Sequence, residues 1–191
     1  CADWLIEKLN HMGLDTELHE TAQHPIVVAR NKHVAGKKTC LIYGHYDVQP
    51  VDPVELWDSP PFEPEIRDGR IWARGSTDNK GQMLAHVLGV EQCLEEDGEL
   101  PVNLIFLFEG EEEIGSPSMP KFFDRYADRL AQADFMLVSD TGSPSAEQIV
   151  VTTALRGLVD LEINIQGPKS DLHSGIHGGA VYNPLQALME L

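Results

Sequence analysis

Five short segments of this chain carry the residue types that hold cations and move protons. Gly44-His45-Tyr46-Asp47 sets a His and an Asp two apart, and Ser76-Thr77-Asp78-Asn79-Lys80-Gly81 places a carboxylate just before a helical pattern. Glu109-Gly110-Glu111-Glu112-Glu113 gathers four carboxylates in five residues, while Ser139-Asp140 and Asp171-Leu172-His173-Ser174-Gly175 add another Asp and another His. A metal-bound imidazole needs its second ring nitrogen oriented, and a nearby carboxylate such as Asp47 does this best. Asp78 could bridge two cations with its two oxygens, or simply cap the helix that begins beside it. A charge run is usually a solvated face. This one, however, begins at the end of an apolar strand, and its carboxylates repel one another unless a cation sits among them. A hydrolytic metal site needs one carboxylate as ligand and a second to take a proton from water, and adjacent glutamates can serve both needs. Taken singly, the His45 and Asp47 pair could equally bond its own turn, and Asp140 and His173 are weak signals.

The elements that must position these groups follow from hydrophobic spacing. Residues 2–12 place Trp4, Leu5, Leu9 and Met12 on one side of a helix that stops at Gly13, and short alternating segments follow near 16–19 and 26–29. Apolar runs at 39–43, 102–108 and 134–138 predict three buried strands. Residues 80–97 carry Met83, Leu84, Val87, Leu88 and Leu94 at helical spacing before Gly98, and a second helix is expected over 117–130. Five prolines between His45 and Pro64 exclude regular structure there, and Gly69 makes a turn before residues 71–73. Strand, helix, strand, helix, strand is the pattern of an α/β layer with a mostly parallel sheet, in which ligands collect at the carboxyl ends of the strands. His45 and Asp47, the acidic run, and Asp140 each follow a predicted strand, so separate segments deliver them to one edge. Beyond Arg156 the alternation of residues 158–165 predicts a half-exposed antiparallel strand, followed by a helix from Asn183-Pro184. A domain boundary is placed at 153/154.

Composition narrows the function classes. The 191 residues hold 14 Lys and Arg against 31 Asp and Glu, a net charge of −17. Phosphate backbones and anionic bilayers repel such a surface, so nucleic-acid and membrane partners are not expected. No apolar run is long enough to span a bilayer. Three widely spaced cysteines, with no paired framework, suit a reducing, cytoplasmic setting. A ligand set of carboxylates and His without Cys suits zinc, with manganese or cobalt also accepted.

In their order and spacing these motifs resemble the dinuclear metallopeptidase family of carnosine dipeptidases, aminoacylase, carboxypeptidase G and succinyl-diaminopimelate desuccinylase. The carnosine-dipeptidase branch is matched through His45-Tyr46-Asp47-Val48-Gln49-Pro50 and Thr77-Asp78-Asn79-Lys80-Gly81. The resemblance implies a zinc-exopeptidase-like α/β three-layer sandwich, with residues 1–153 belonging to the catalytic domain and 154–191 beginning an α+β lid. It implies two divalent metal ions. His45 would ligate one of them with Asp47 orienting its ring, Asp78 would bridge both, and Asp140 would complete the first site. Glu112 would be the general base and Glu113 a ligand, leaving Glu109 and Glu111 as surrounding charges. His173 would reach substrate in the partner subunit of a homodimer. A cis peptide between Asp78 and Asn79 is also implied.

The expected activity is hydrolysis of the amide bond of dipeptides or short peptides by a water activated between two metals. The same chemistry would serve an N-acyl-amino-acid deacylase or desuccinylase, and a noncatalytic module that only sequesters cations is the competing class. The resemblance also implies a return from the lid to the catalytic domain with a final His ligand. Because this chain opens on Cys1 and offers no such His after His177, it is expected to be an N-terminal portion of a larger enzyme, inactive alone.

Overall fold

The structure is a computed structural model that describes residues 1–145, 147–148 and 150–191. It divides into two units, Cys1–Ile149 and Val150–Leu191. The first is built on strands β1 (Asp15–His19), β2 (Ile26–Arg30) and β3 (Thr39–His45), the hairpin strands β4 (Glu65–Arg67) and β5 (Arg70–Trp72), then β6 (Asn103–Glu109) and β7 (Phe135–Val138). Helix α1 (Ala2–His11) precedes the first strand, α2 (Lys80–Asp97) links the hairpin to β6, and α3 (Met119–Leu130) links β6 to β7. The sheet order is β1-β2-β6-β3-β7. Its β1/β2 and β2/β6 pairings are antiparallel, whereas β6/β3 and β3/β7 are parallel. The parallel pairs arise where helical crossovers return the chain to the same end of the sheet.

Side-chain alternation explains why β6 lies at the centre. Leu104, Phe106 and Phe108 face a cluster with Leu5 and Leu9 of α1 and Met83 and Val87 of α2. Ile105 and Leu107 face the opposite layer, with Met119 and Phe122 of α3. A strand apolar on both faces is stable only between two helical layers, and each buried Leu, Ile or Phe contributes about 1.5–3 kcal/mol relative to exposure. Helix α2 ends at Gly98, whose φ of 72° closes the last turn in the left-handed region. The peptide between Asp78 and Asn79 is cis, as is that between Asp52 and Pro53.

Three expectations are corrected. The strand predicted as buried over 134–138 is β7, and its four side chains are 40–60% exposed. It pairs with β3 and lies at the edge of the sheet. Within the proline-rich stretch a short 3-10 turn forms at Val54–Leu56. In the second unit the alternating residues 158–165 form no strand. Alternation describes a face, but a strand exists only through a hydrogen-bonded neighbour, and none of the described residues supplies one there. That unit carries two short helices, α4 (Ser174–His177) and α5 (Pro184–Met189), the latter capped by Asn183 accepting from the Leu185 N–H at 2.9 Å. Among the described residues no helix is long and apolar enough to cross a membrane.

Candidate metal centre

His45 is the last residue of β3, and its register partner is Glu109, the last residue of β6. Its ring is fully buried. Nδ1 lies 3.2 Å from Asp47 Oδ1. On the other side, Nε2 lies 3.2 Å from Asp78 Oδ1, 3.3 Å from Asp140 Oδ2 and 3.8 Å from Glu112 Oε2. Neither ring nitrogen has an aligned hydrogen-bond partner among the described residues. With the proton on Nδ1 facing Asp47, Nε2 presents a lone pair to three carboxylates. That arrangement is repulsive unless a cation lies between them.

The ionisation of the centre carries the same tension. Burial alone would lower the His45 pKa, but Asp140, Glu112, Asp47 and Asp78 together raise it. Asp78 is raised by burial and by Asp140 and Glu113. Glu112 is raised by burial, Asp140 and Glu113 against the pull of His45. Crowding among these carboxylates adds to the penalty of burial, and a divalent cation offsets that repulsion. Two trios, His45 with Asp78 and Glu113, and His45 with Glu112 and Asp140, hold donor atoms within 4.8 Å of one another. One imidazole and several carboxylates are donors suited to zinc or manganese, so the residues fit a cation.

Asp47 does more than face the ring. Its two oxygens accept the backbone N–H groups of Glu112 at 3.2 Å and Glu113 at 2.9 Å. One carboxylate therefore ties the end of β3 to the acidic loop after β6. Gln49 donates from Nε2 to Glu113 Oε2 at 2.8 Å and steadies that carboxylate from the opposite chain segment. Gly110 lets the loop lie against Tyr46, since a Cβ there would come within 2.6 Å of the Tyr46 ring.

The structure thus brings together His45, Asp47, Asp78, Glu112, Glu113 and Asp140. His173 lies in the second unit, where its Nδ1 accepts the Gly175 N–H at 3.0 Å as the cap of α4. Glu109 and Glu111, set aside from the sequence as surrounding charges, are buried supports. Glu111 accepts from Thr21 Oγ1, the His24 N–H, and the N–H and Oγ of Ser118, all within 2.9–3.0 Å. Burial would raise its pKa, but these donors outweigh burial and lower it. Glu109 accepts from Tyr43 OH at 2.6 Å and Ser116 Oγ at 2.8 Å. Serines one turn downstream of a carboxylate run were the available signal. His86 of α2 contacts Ser139 Oγ at 2.6 Å from Nε2, one residue before Asp140.

A mixed sheet that delivers a buried His and carboxylates from its strand ends to one point defines an α/β protein with a candidate dinuclear metal centre. Residues 41–184 match the profile of Peptidase family M20/M25/M40, and the chain belongs to that family. Over its whole length it is 34% identical to the Cys-Gly metallodipeptidase dug1 of Schizosaccharomyces pombe, covering 42% of that protein. It is 33% identical to the human Beta-Ala-His dipeptidase over 87% of this chain and 33% of the relative. The solved structure of the di-peptidase Dug1p from Saccharomyces cerevisiae superposes with a TM-score of 0.73 at 30% identity, over 98% of this chain and 42% of that one. The chain therefore spans less than half the length of these relatives.

Proposed function

We propose that the whole protein is a metal-dependent hydrolase that cleaves the amide bond of dipeptides or short peptides at this centre. The observation that carries the reading is the buried His45 Nε2, unpartnered and facing Asp78, Asp140 and Glu112. His45, Asp78 and Asp140 would hold one divalent cation, and Asp78 with Glu113 a second, zinc in both positions. Bound there, the cations supply Lewis-acid polarisation of the scissile carbonyl and make a water more acidic. Asp47 keeps the His45 ring and the acidic loop in register. Glu112 takes a proton from the attacking water as the new C–O bond forms, and returns it to the amine nitrogen as the C–N bond breaks.

The same reading assigns residues 1–153 to the catalytic domain and 154–191 to the start of a lid. In it His173 binds substrate across a homodimer, and the enzyme is cytoplasmic. The second cation has two carboxylates from this chain, so a further His ligand is expected from the rest of the protein. The names of the relatives favour dipeptides with a free carboxyl end, Cys-Gly and β-Ala-His among them.

The test is a panel of these dipeptides and of N-acyl amino acids, offered to the whole protein after metal removal and again after zinc is restored. Zinc-dependent cleavage of dipeptides is expected. Preference for N-acyl amino acids would overturn the substrate class, and no cleavage with zinc, manganese or cobalt would overturn the hydrolase.

A further inference from the structure

Asn79 occupies the N-cap of α2, where an Asn side chain ordinarily accepts an N–H from the first turn. Here it makes no cap hydrogen bond. Its amide, 2% exposed, is directed into the centre instead. Oδ1 accepts the His45 N–H at 3.3 Å, and Nδ2 donates to Asp140 Oδ1 at 3.0 Å. Because one neighbour is a donor and the other a carboxylate, the network itself fixes which end of the amide is oxygen. One side chain therefore joins three segments: the end of β3, the Asp78-Asn79 turn and the residues after β7. With Oδ1 of Asp140 engaged, Oδ2 remains 3.3 Å from His45 Nε2. The space for the amide comes from Gly44, where a Cβ would stand 2.9 Å from Asn79 Oδ1 and 3.3 Å from Met83 Cγ.

We propose that Asn79 is a positioning residue for the metal centre. Its amide sets the angle at which Asp140 presents Oδ2 beside His45, and Gly44 is required for the amide to reach that place. The glycine of the His45 motif and the asparagine of the Asp78 motif then act as one device, although 35 positions separate them. The inference rests on the reading of this site as a metal centre. It adds a role that capping does not explain, because Asp and Ser cap a helix as well as Asn does. Asn79→Asp keeps the shape and the cap preference, but sets a carboxylate against Asp140 where a donor stood. Asn79→Ser keeps the cap preference and removes the reach.

The test titrates zinc, and separately cobalt(II), into the metal-free whole protein and its Asn79→Asp, Asn79→Ser and Gly44→Ala variants. Calorimetry gives affinity, cobalt absorption reports ligand geometry, and thermal unfolding of the metal-free forms separates folding from positioning. The expected result is a loss of about 10–100-fold in affinity at one of the two sites in all three variants. The cobalt spectrum should change while the metal-free melting points stay close to the parent. Wild-type affinity and spectrum in the two Asn79 variants would overturn the positioning role and leave the metal centre standing. If the parent itself binds neither ion at His45, the metal-centre reading and this inference fall together, before any variant is compared.

Discussion

Glu111 and Glu112 are adjacent in sequence and identical in chemistry, and the fold gives them opposite roles. Glu111 is buried, and donors from the β1–β2 loop and the start of α3 surround its oxygens, so it is held ionised. Glu112 faces the centre, where among the described residues no donor hydrogen-bonds its carboxylate and its pKa is raised. The difference shows that reactivity in an acidic loop depends on where the backbone supplies donors and where it withholds them. Asp47 sits between the two cases, holding the Glu112 and Glu113 amides while facing His45.

The largest expected effect comes from Glu112. Glu112→Gln in the whole protein should lower kcat by about 10²–10⁴-fold, while zinc content by atomic emission and the melting point stay near the parent. Comparable loss of bound zinc would mean that Glu112 is a ligand, and the contrast with Glu111 would have to be redrawn. Asp47→Asn should weaken zinc binding by about 10–100-fold, because it loosens both the His45 ring and the loop amides. An unchanged calorimetric affinity would show that neither contact matters.

Glu111→Gln should behave in the opposite way. Replacing a charged acceptor by an amide leaves a buried donor facing donors, and should destabilise the fold by about 1–3 kcal/mol in urea unfolding. Any fall in turnover should be no larger than the unfolded fraction explains. The smallest effect is the pH dependence of that loss. The folded pKa of Glu111 lies below its ordinary 4.5, so its contribution is fully present above that pH. It fades as pH falls through the lower folded value. Unfolding curves taken across this range should show the parent losing stability more steeply with acid than Glu111→Gln, and parallel slopes would remove Glu111 as the anchor.

Much of this was legible in the sequence, for physical reasons. Apolar runs of strand length gave β3 and β6, and the helical spacing of Met83 and Val87 gave α2. The groups gathered at His45 each follow a strand or open a helix, where α/β sheets collect ligands. What stayed hidden depends on partners distant in the chain. Phe135–Val138 reads like Leu104–Phe108, yet one is an edge and the other a centre. Ser116 and Ser118 lie close by in sequence, but the inward turn of Glu109 and Glu111 also depends on Tyr43, Thr21 and His24, which no local pattern announces. Asn79 looks like a cap until its amide is traced to His45 and Asp140.

The most direct test of the central claim is anomalous X-ray diffraction at the zinc edge from crystals of the whole protein soaked with zinc. The account predicts a zinc peak about 2.0–2.1 Å from His45 Nε2, with Asp78 and Asp140 as its carboxylate ligands and Asp78 shared with a second peak at Glu113. Zinc bound elsewhere on the protein, with no peak at His45, would contradict it.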